Sequence, residues 1–144
     1  LANVNGEWFL FAHCHLRNDI RTFTPARISA MQPTGKAFKP PKKFSLEKRL
    51  RGSFAIFTGD REQEIVIRFN ELVADYIREK RWHPTQRQRN LKDGGVELTM
   101  RLDSLSEVQR WVMTWCGNAQ VIKPPDLARS VREAAQRILD IKSP

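Results

Sequence analysis

The stretch GEWFLFAHCHLRNDIRTFTPARI, residues 6–28, sets two histidines, a cysteine and three arginines among aromatic and β-branched residues. Such a set could ligate a metal, perform nucleophilic catalysis or grip an anion. A metal needs three or four ligands converging on one point. On an extended strand, alternation sends His13 and His15 to one face and Cys14 to the other, and the third histidine, His83, follows Trp82 in a turn far along the chain. Cys14 and Cys116 are the only cysteines, without C-x-x-C spacing, and read as small apolar residues rather than as zinc ligands or a disulfide framework. Neither metal nor cofactor is expected.

Catalysis finds no support either. Cys14 and His13 are sequence neighbours, which do not face one another on a strand, and no acid is identifiable to orient the histidine. There is no G-x-S-x-G elbow. The run Asp93-Gly94-Gly95 is more simply a hairpin turn than a phosphate loop. The chain is not expected to be an enzyme.

Anion binding fits better. Arg21, Phe23, Pro25 and Arg27 share parity, so two guanidiniums would flank an aromatic on one strand face. Guanidinium forks match phosphate oxygens in pairs, and a neighbouring aromatic can stack a base. The preceding strand divides into Trp8, Leu10, Ala12, Cys14 and Leu16 on one side and Phe9, Phe11, His13, His15 and Arg17 on the other. A two-residue turn at Asn18-Asp19 puts the arginines on the face of Trp8; a three-residue turn puts them on the other. The bland alternatives are solvated arginines and core aromatics.

Charge favours a polyanion. The 144 residues carry a net +9, and residues 1–58 hold ten Lys or Arg against three acids, leaving only +2 for the remainder. One half of the chain therefore carries most of the positive potential, which suits nucleic acid first and an acidic membrane surface second. A membrane role would rest on the cluster Lys36 to Arg51, but FSLEKRLRGSF is too short for a convincing interfacial helix. No run approaches the roughly 20 apolar residues of a membrane span, and the N-terminus lacks the pattern of a signal peptide. A cytoplasmic protein is expected. It begins with leucine and enters strand-like sequence almost at once, which reads as a fragment with its upstream part missing.

The elements that would position these residues follow from local pattern. Residues 7–28 form a hairpin. Pro33, Gly35, Pro40 and Pro41 among lysines mark a linker, a short helix over SLEKRL takes Ser45 as cap, and GSFAIFTG is a short apolar piece. Beyond residue 60, Ile65, Ile67 and Phe69 alternate with Glu64, Val66 and Arg68 as in a half-buried strand. Asn70 caps a helix over 71–81, QRQRNL is a weak strand whose Arg87 and Arg89, if it lies at an edge, could bind or simply discourage edge pairing, and Val96, Leu98, Met100 and Leu102 define the clearest strand. Ser104 and Glu107 spell a capping box. Leu105, Val108, Trp111, Val112 and Trp115 share a helical face ended by Gly117, AQVI is a strand, and Pro124-Pro125 open a last helix with a stripe from Leu127 to Ile141. The order β-α-β-β-α-β-α is ferredoxin-like with an extra helix. The third strand, VELTMRL, has none of the stacking aromatics of an RNA-recognition motif.

Trp8-Phe9-Leu10 followed by Arg21-x-Phe23-x-x-x-Arg27-Ile28 resembles the signature of the WYL domain, with Phe9 standing where the family has tyrosine. GSFAIF, REKRWHPTQ, DGGVELTMRL and VQRWVMTWCGNAQVIKPPDL resemble the C-terminal extension called WCX that commonly follows it. The resemblance implies an Sm-like, SH3-type barrel, present here only in part at residues 1–59, and a ferredoxin-like extension at 60–144, an α+β chain overall. It also implies the effector-sensing, dimeric half of a bacterial transcription regulator, whose operator DNA would be read by a helix-turn-helix absent from this sequence. The effector class would be single-stranded DNA or another oligonucleotide. Arg21 and Arg27 would hold its phosphates, with Arg17, Trp8, Phe9, His13 and Phe23 around them. The alternative is an oligomerisation or protein-interaction module with no ligand of its own.

Overall fold

A computed structural model describes residues 1–141 apart from 5, 40, 42, 43, 58 and 60; Lys42 and Lys43 of the basic cluster and Thr58 of GSFAIFTG thus lie outside the described residues. Among the described residues the architecture is mixed α+β with two antiparallel sheets and four helices, in two compact units, Leu1–Phe44 and Ser45–Pro144. The second compact unit takes in the segment after Ser45, which bonds to residues far along the chain. Asp103 donates its N–H to the Gly52 carbonyl at 2.8 Å.

The first unit holds a three-stranded sheet in the order β1 (Ala2–Val4), β2 (Glu7–Cys14), β3 (Asp19–Phe23). Asn18, at φ 49°, occupies the left-handed region that Asn tolerates better than most residues. The loop between β2 and β3 spans four residues, His15 to Arg17 with Asn18, neither two nor three. The second strand stops at Phe23 rather than running on to Ile28, since Pro25 opens a 3-10 turn over Pro25–Arg27. Proline fixes φ and lacks the N–H a ladder needs. None of the described residues of this unit is buried.

In the second unit, α1 (Leu46–Leu50) starts at Ser45, whose hydroxyl accepts the Lys48 N–H at 3.3 Å. GSFAIF forms turns and bends, not a strand. Then come β4 (Gln63–Phe69), α2 (Glu71–Arg78), β5 (Arg87–Asn90), β6 (Val96–Leu102), α3 (Ser106–Met113), β7 (Ala119–Lys123) and α4 (Pro125–Leu139), with sheet order β5-β6-β4-β7. Ile65, Ile67 and Phe69 of β4 and Val96, Leu98, Met100 and Leu102 of β6 lie on one face, buried against Ala74 and Ile77 of α2, Val108 and Val112 of α3 and Leu127 of α4. Burying a side chain of this size stabilises by about 1.5–3 kcal/mol, and this layer is the core.

Several local expectations are corrected. Helix α2 ends at Arg78, not 81, as Gln86 turns the chain by accepting the N–H groups of Trp82 and His83 through Oε1. Asn70 does not cap with its side chain; its Nδ2 donates to Asn118 Oδ1 at 2.8 Å, tying α2 to the loop before β7. Val66, assigned by alternation to the polar face, is 8% exposed. The Ser104–Glu107 capping box does not form, because α3 opens one residue late, with Leu105 as N-cap. Glu107 points elsewhere. The stripe of α4 is buried at Leu127 and half-buried at Val131, but Ile138 and Ile141 are exposed.

Candidate functional site

The β2–β3 register pairs Leu10 with Phe23, Ala12 with Arg21 and Cys14 with Asp19. Residues directly opposite one another project to the same side, so Trp8, Leu10, Ala12 and Cys14 share a face with Phe23, Arg21 and Asp19. The four-residue loop shifts the pairing by an even number relative to the two-residue case, which preserves the face. Phe9, Phe11 and His13 lie on the other side with Ile20 and Thr22.

Of the expected site residues, Trp8, Phe23 and Arg21 are therefore brought to one face, and Phe9 and His13 are separated from them. Arg17 is exposed in the loop. Arg27 is exposed on the 3-10 turn, so strand parity does not place it beside Arg21, contrary to the expectation. His15 lies in the loop, its ring edge-on to His13 at 5.1 Å. Trp8 is 55% exposed and so is not a core residue within this unit. Arg21 Nε lies 3.3 Å from Asp19 Oδ2 with both side chains more than half exposed. Such a pair contributes little to stability, and its guanidinium is available to an incoming phosphate. Chemically, this face offers one cation between an acid and an aromatic, with a second aromatic diagonal to it. No group of three or more His, Cys, Asp or Glu side chains among the described residues is placed to hold a metal.

The second unit contains three features that sequence reasoning missed. Glu107 accepts the Ile56 N–H at 2.8 Å, the Ala55 N–H at 2.9 Å and the Ser53 hydroxyl at 3.3 Å, so one carboxylate fastens the whole 53–56 segment. His83, read as a turn residue, is buried. Thr85 donates its N–H to Nδ1 at 3.2 Å, so the proton sits on Nε2 and is donated to the Arg51 carbonyl at 3.1 Å. Burial pushes its pKa down from 6.5, against the opposing pull of the backbone of Arg51 and Ser53 and of the Asp103 and Glu62 charges. Third, Trp82, Trp111, Trp115 and Phe69 form a ring cluster with centroids 4.9–5.9 Å apart, extended by Phe54 and Tyr76. The helical spacing of Trp111 and Trp115 signalled their part in it; nothing local signalled the partners of Glu107 or His83.

Residues 61–139 match the family model of the WCX domain, and residues 1–33 match that of the WYL domain. Among solved structures, the chain is similar to proteasome accessory factor B/C (PafBC) of Arthrobacter aurescens, at 18% identity and a TM-score of 0.46, over 96% of this chain and 22% of that one. The chain thus spans about a fifth of that protein's length. No curated protein matches it in sequence. No helix among the described residues is long and apolar enough to cross a membrane. Because the WCX match takes in more than half of its residues, the chain belongs to the WCX domain family, and it carries WYL-domain sequence at its opening.

Proposed function

We propose that the chain is the effector-sensing and dimerisation part of a WYL-type transcription regulator in the cytoplasm, a binding module rather than an enzyme, and that its effector is a nucleic-acid strand. On this reading the first unit is a piece of an Sm-like barrel and the second a ferredoxin-like extension, and a helix-turn-helix elsewhere in the regulator contacts operator DNA. The observation that carries the reading is the exposed β2–β3 face, where Arg21 stands with Phe23 and Trp8 in a unit holding seven Lys or Arg against two acids. Arg21 would take a phosphate and the two aromatics a base each, with Arg17 and Arg27 supplying further charge from the loop and the 3-10 turn. Occupancy would bias a two-state dimer and so change operator affinity.

The test is fluorescence anisotropy of a short single-stranded DNA over a salt series. Binding should weaken on a log-log slope of about −0.7 per phosphate contacted, and an Arg21→Ala, Arg27→Ala variant, folded by circular dichroism, should show a shallower slope and weaker binding. Equal binding by that variant would remove the site.

A second reading, an oligomerisation module without a ligand, is favoured by one observation: Ile138, Leu139 and Ile141 expose apolar surface at the end of α4. It expects a concentration-dependent dimer, measured by sedimentation, that oligonucleotides do not alter and that Ile138→Glu dissociates.

A further inference from the structure

The helices of the second unit cover one face of its sheet. The other face is formed by Arg87 and Arg89 of β5, Glu97, Thr99 and Arg101 of β6, Glu64, Val66 and Arg68 of β4 and Gln120 and Lys123 of β7, as the pairings Arg87–Thr99, Arg89–Glu97, Glu64–Arg101, Arg68–Glu97, Arg68–Gln120 and Val66–Lys123 require. Residues 59–144 hold fifteen Lys or Arg against thirteen acids. Five of those cations, with two acids (Glu64 and Glu97), belong to this face, an excess of three where the whole segment carries two, so the positive charge of the segment is concentrated here.

We propose that this sheet face is a second polyanion surface, which holds the phosphodiester backbone of a nucleic acid without reading its bases. The cations repeat: Arg87 and Arg89 stand two residues apart on an edge strand, about 6.8 Å along it, with Arg68 and Arg101 on the strands behind. Arg87 forms no ion pair among the described residues, Lys123 and Arg101 are held only by exposed bridges to Glu64 at 3.2 Å and to Glu62 at 3.4 Å, and Arg89 and Arg68 share the largely covered carboxylate of Glu97 at 2.7 and 2.9 Å. The two exposed bridges exchange readily for phosphate, and the single Glu97 carboxylate leaves one positive charge of the Arg68–Arg89 pair unneutralised. Clefts of about 520 Å³, beside Arg68, Arg89 and Lys92, and about 550 Å³, beside Arg87, Arg101 and Thr85, open at the two ends of the face. An acidic peptide fits less well. Protein partners anchor on Trp, Tyr and Arg set in well-packed, desolvated pockets, and here the arginines have no aromatic or exposed apolar neighbour on the face, its one apolar residue, Val66, being buried. The lack of an aromatic also removes base stacking, so the grip is independent of sequence. These residues are distinct from Arg17, Arg21 and Arg27, and the proposal borrows from the function proposed above only the class of ligand.

The test uses the full chain with a fluorescent oligothymidylate and a hairpin duplex of equal phosphate number, in anisotropy titrations over a salt series. A variant Arg87→Gln, Arg89→Gln, Arg101→Gln should lose about 2 from the log-log salt slope on single strands, three contacts at about 0.7 each. Glu97→Gln, which loosens the hold on Arg68 and Arg89, should bind more tightly. Whichever DNA binds more tightly names the source of the phosphodiester. A slope equal to the parent's for the triple variant, or polyglutamate competing as well as DNA of equal charge, would overturn the proposal. An Arg17→Ala, Arg21→Ala, Arg27→Ala variant separates the two sites: if it alone lowers the slope, the sheet face fails and the β2–β3 site stands, and if the sheet variant alone does so, the reverse holds.

Discussion

Replacing Glu107 by alanine should unfasten residues 53–56 from the second unit. The carboxylate accepts two main-chain N–H groups at 2.8 and 2.9 Å and one hydroxyl at 3.3 Å, and Ser53 and Ile56 are 4% and 6% exposed. An unsatisfied buried donor costs about 1–3 kcal/mol, and hydrogen bonds to a charged acceptor lie at the stronger end of the range. Water reaches part of the segment once it loosens, so the loss should be about 3 kcal/mol, below the sum of the three bonds. For a unit of 100 residues, about 4–8 °C per kcal/mol converts this to a Tm lowered by about 12–24 °C. The assay is urea or thermal unfolding followed by tryptophan fluorescence, because Trp82, Trp111 and Trp115 belong to this unit and Phe54 of the fastened segment packs against Trp111 at 5.1 Å. Glu107→Gln keeps one acceptor oxygen, turns its amide NH2 toward a donor, and should fall between parent and alanine variant. A Glu107→Ala protein within about 0.5 kcal/mol of the parent, the scatter of ordinary surface substitutions, would refute the reasoning and reduce the three bonds to incidental contacts.

The remaining predictions concern the same unit. Since burial lowers the pKa of His83 in the folded state, the unfolded chain takes up the proton first; the contribution of this residue is fully present above about pH 6.5 and is lost as pH falls through the lowered folded value. The urea midpoint should therefore drop on acidification below pH 6.5, and His83→Gln should flatten that part of the profile; an unchanged profile would show that His83 is not the group responsible. Ile67→Ala, at the fully buried centre of β4, should cost about 2–5 kcal/mol by equilibrium unfolding, and a loss below 1 kcal/mol would mean that the sheet is not the core.

Much of the second unit was legible because its signals are local. The alternation in residues 63–69 and 96–102 and the helical spacing of Val108, Trp111, Val112 and Trp115 each fall within one element, and period 2 or 3.6 reports the buried face wherever the element packs. The polar side of that alternation was equally legible, as Glu64, Arg68, Glu97 and Arg101, but its meaning was not. Only the strand order, which lays Arg87 and Arg89 beside Glu97 and Arg68, collects those side chains into one surface. In the first unit, the parity of Trp8, Arg21 and Phe23 was written in the sequence up to the length of one loop, and cross-strand pairing chose between the faces.

What the sequence by itself determined is the periodic part: which residues are apolar, at what spacing, and so which strands and helices form and which side of each seeks the core. Tertiary structure alone decided where polar groups find their partners. Glu107 reads as the fourth residue of a capping box, yet the 53–56 segment brings more unpaired N–H groups to it than the start of α3 does. His83 reads as a turn histidine, yet it is buried with its ring bonded to Arg51, 32 residues earlier. A hydrogen bond is satisfied by whichever donor or acceptor folding brings within about 3 Å, and for residues 32 to 54 positions apart that proximity is a property of the fold, absent from any window of sequence.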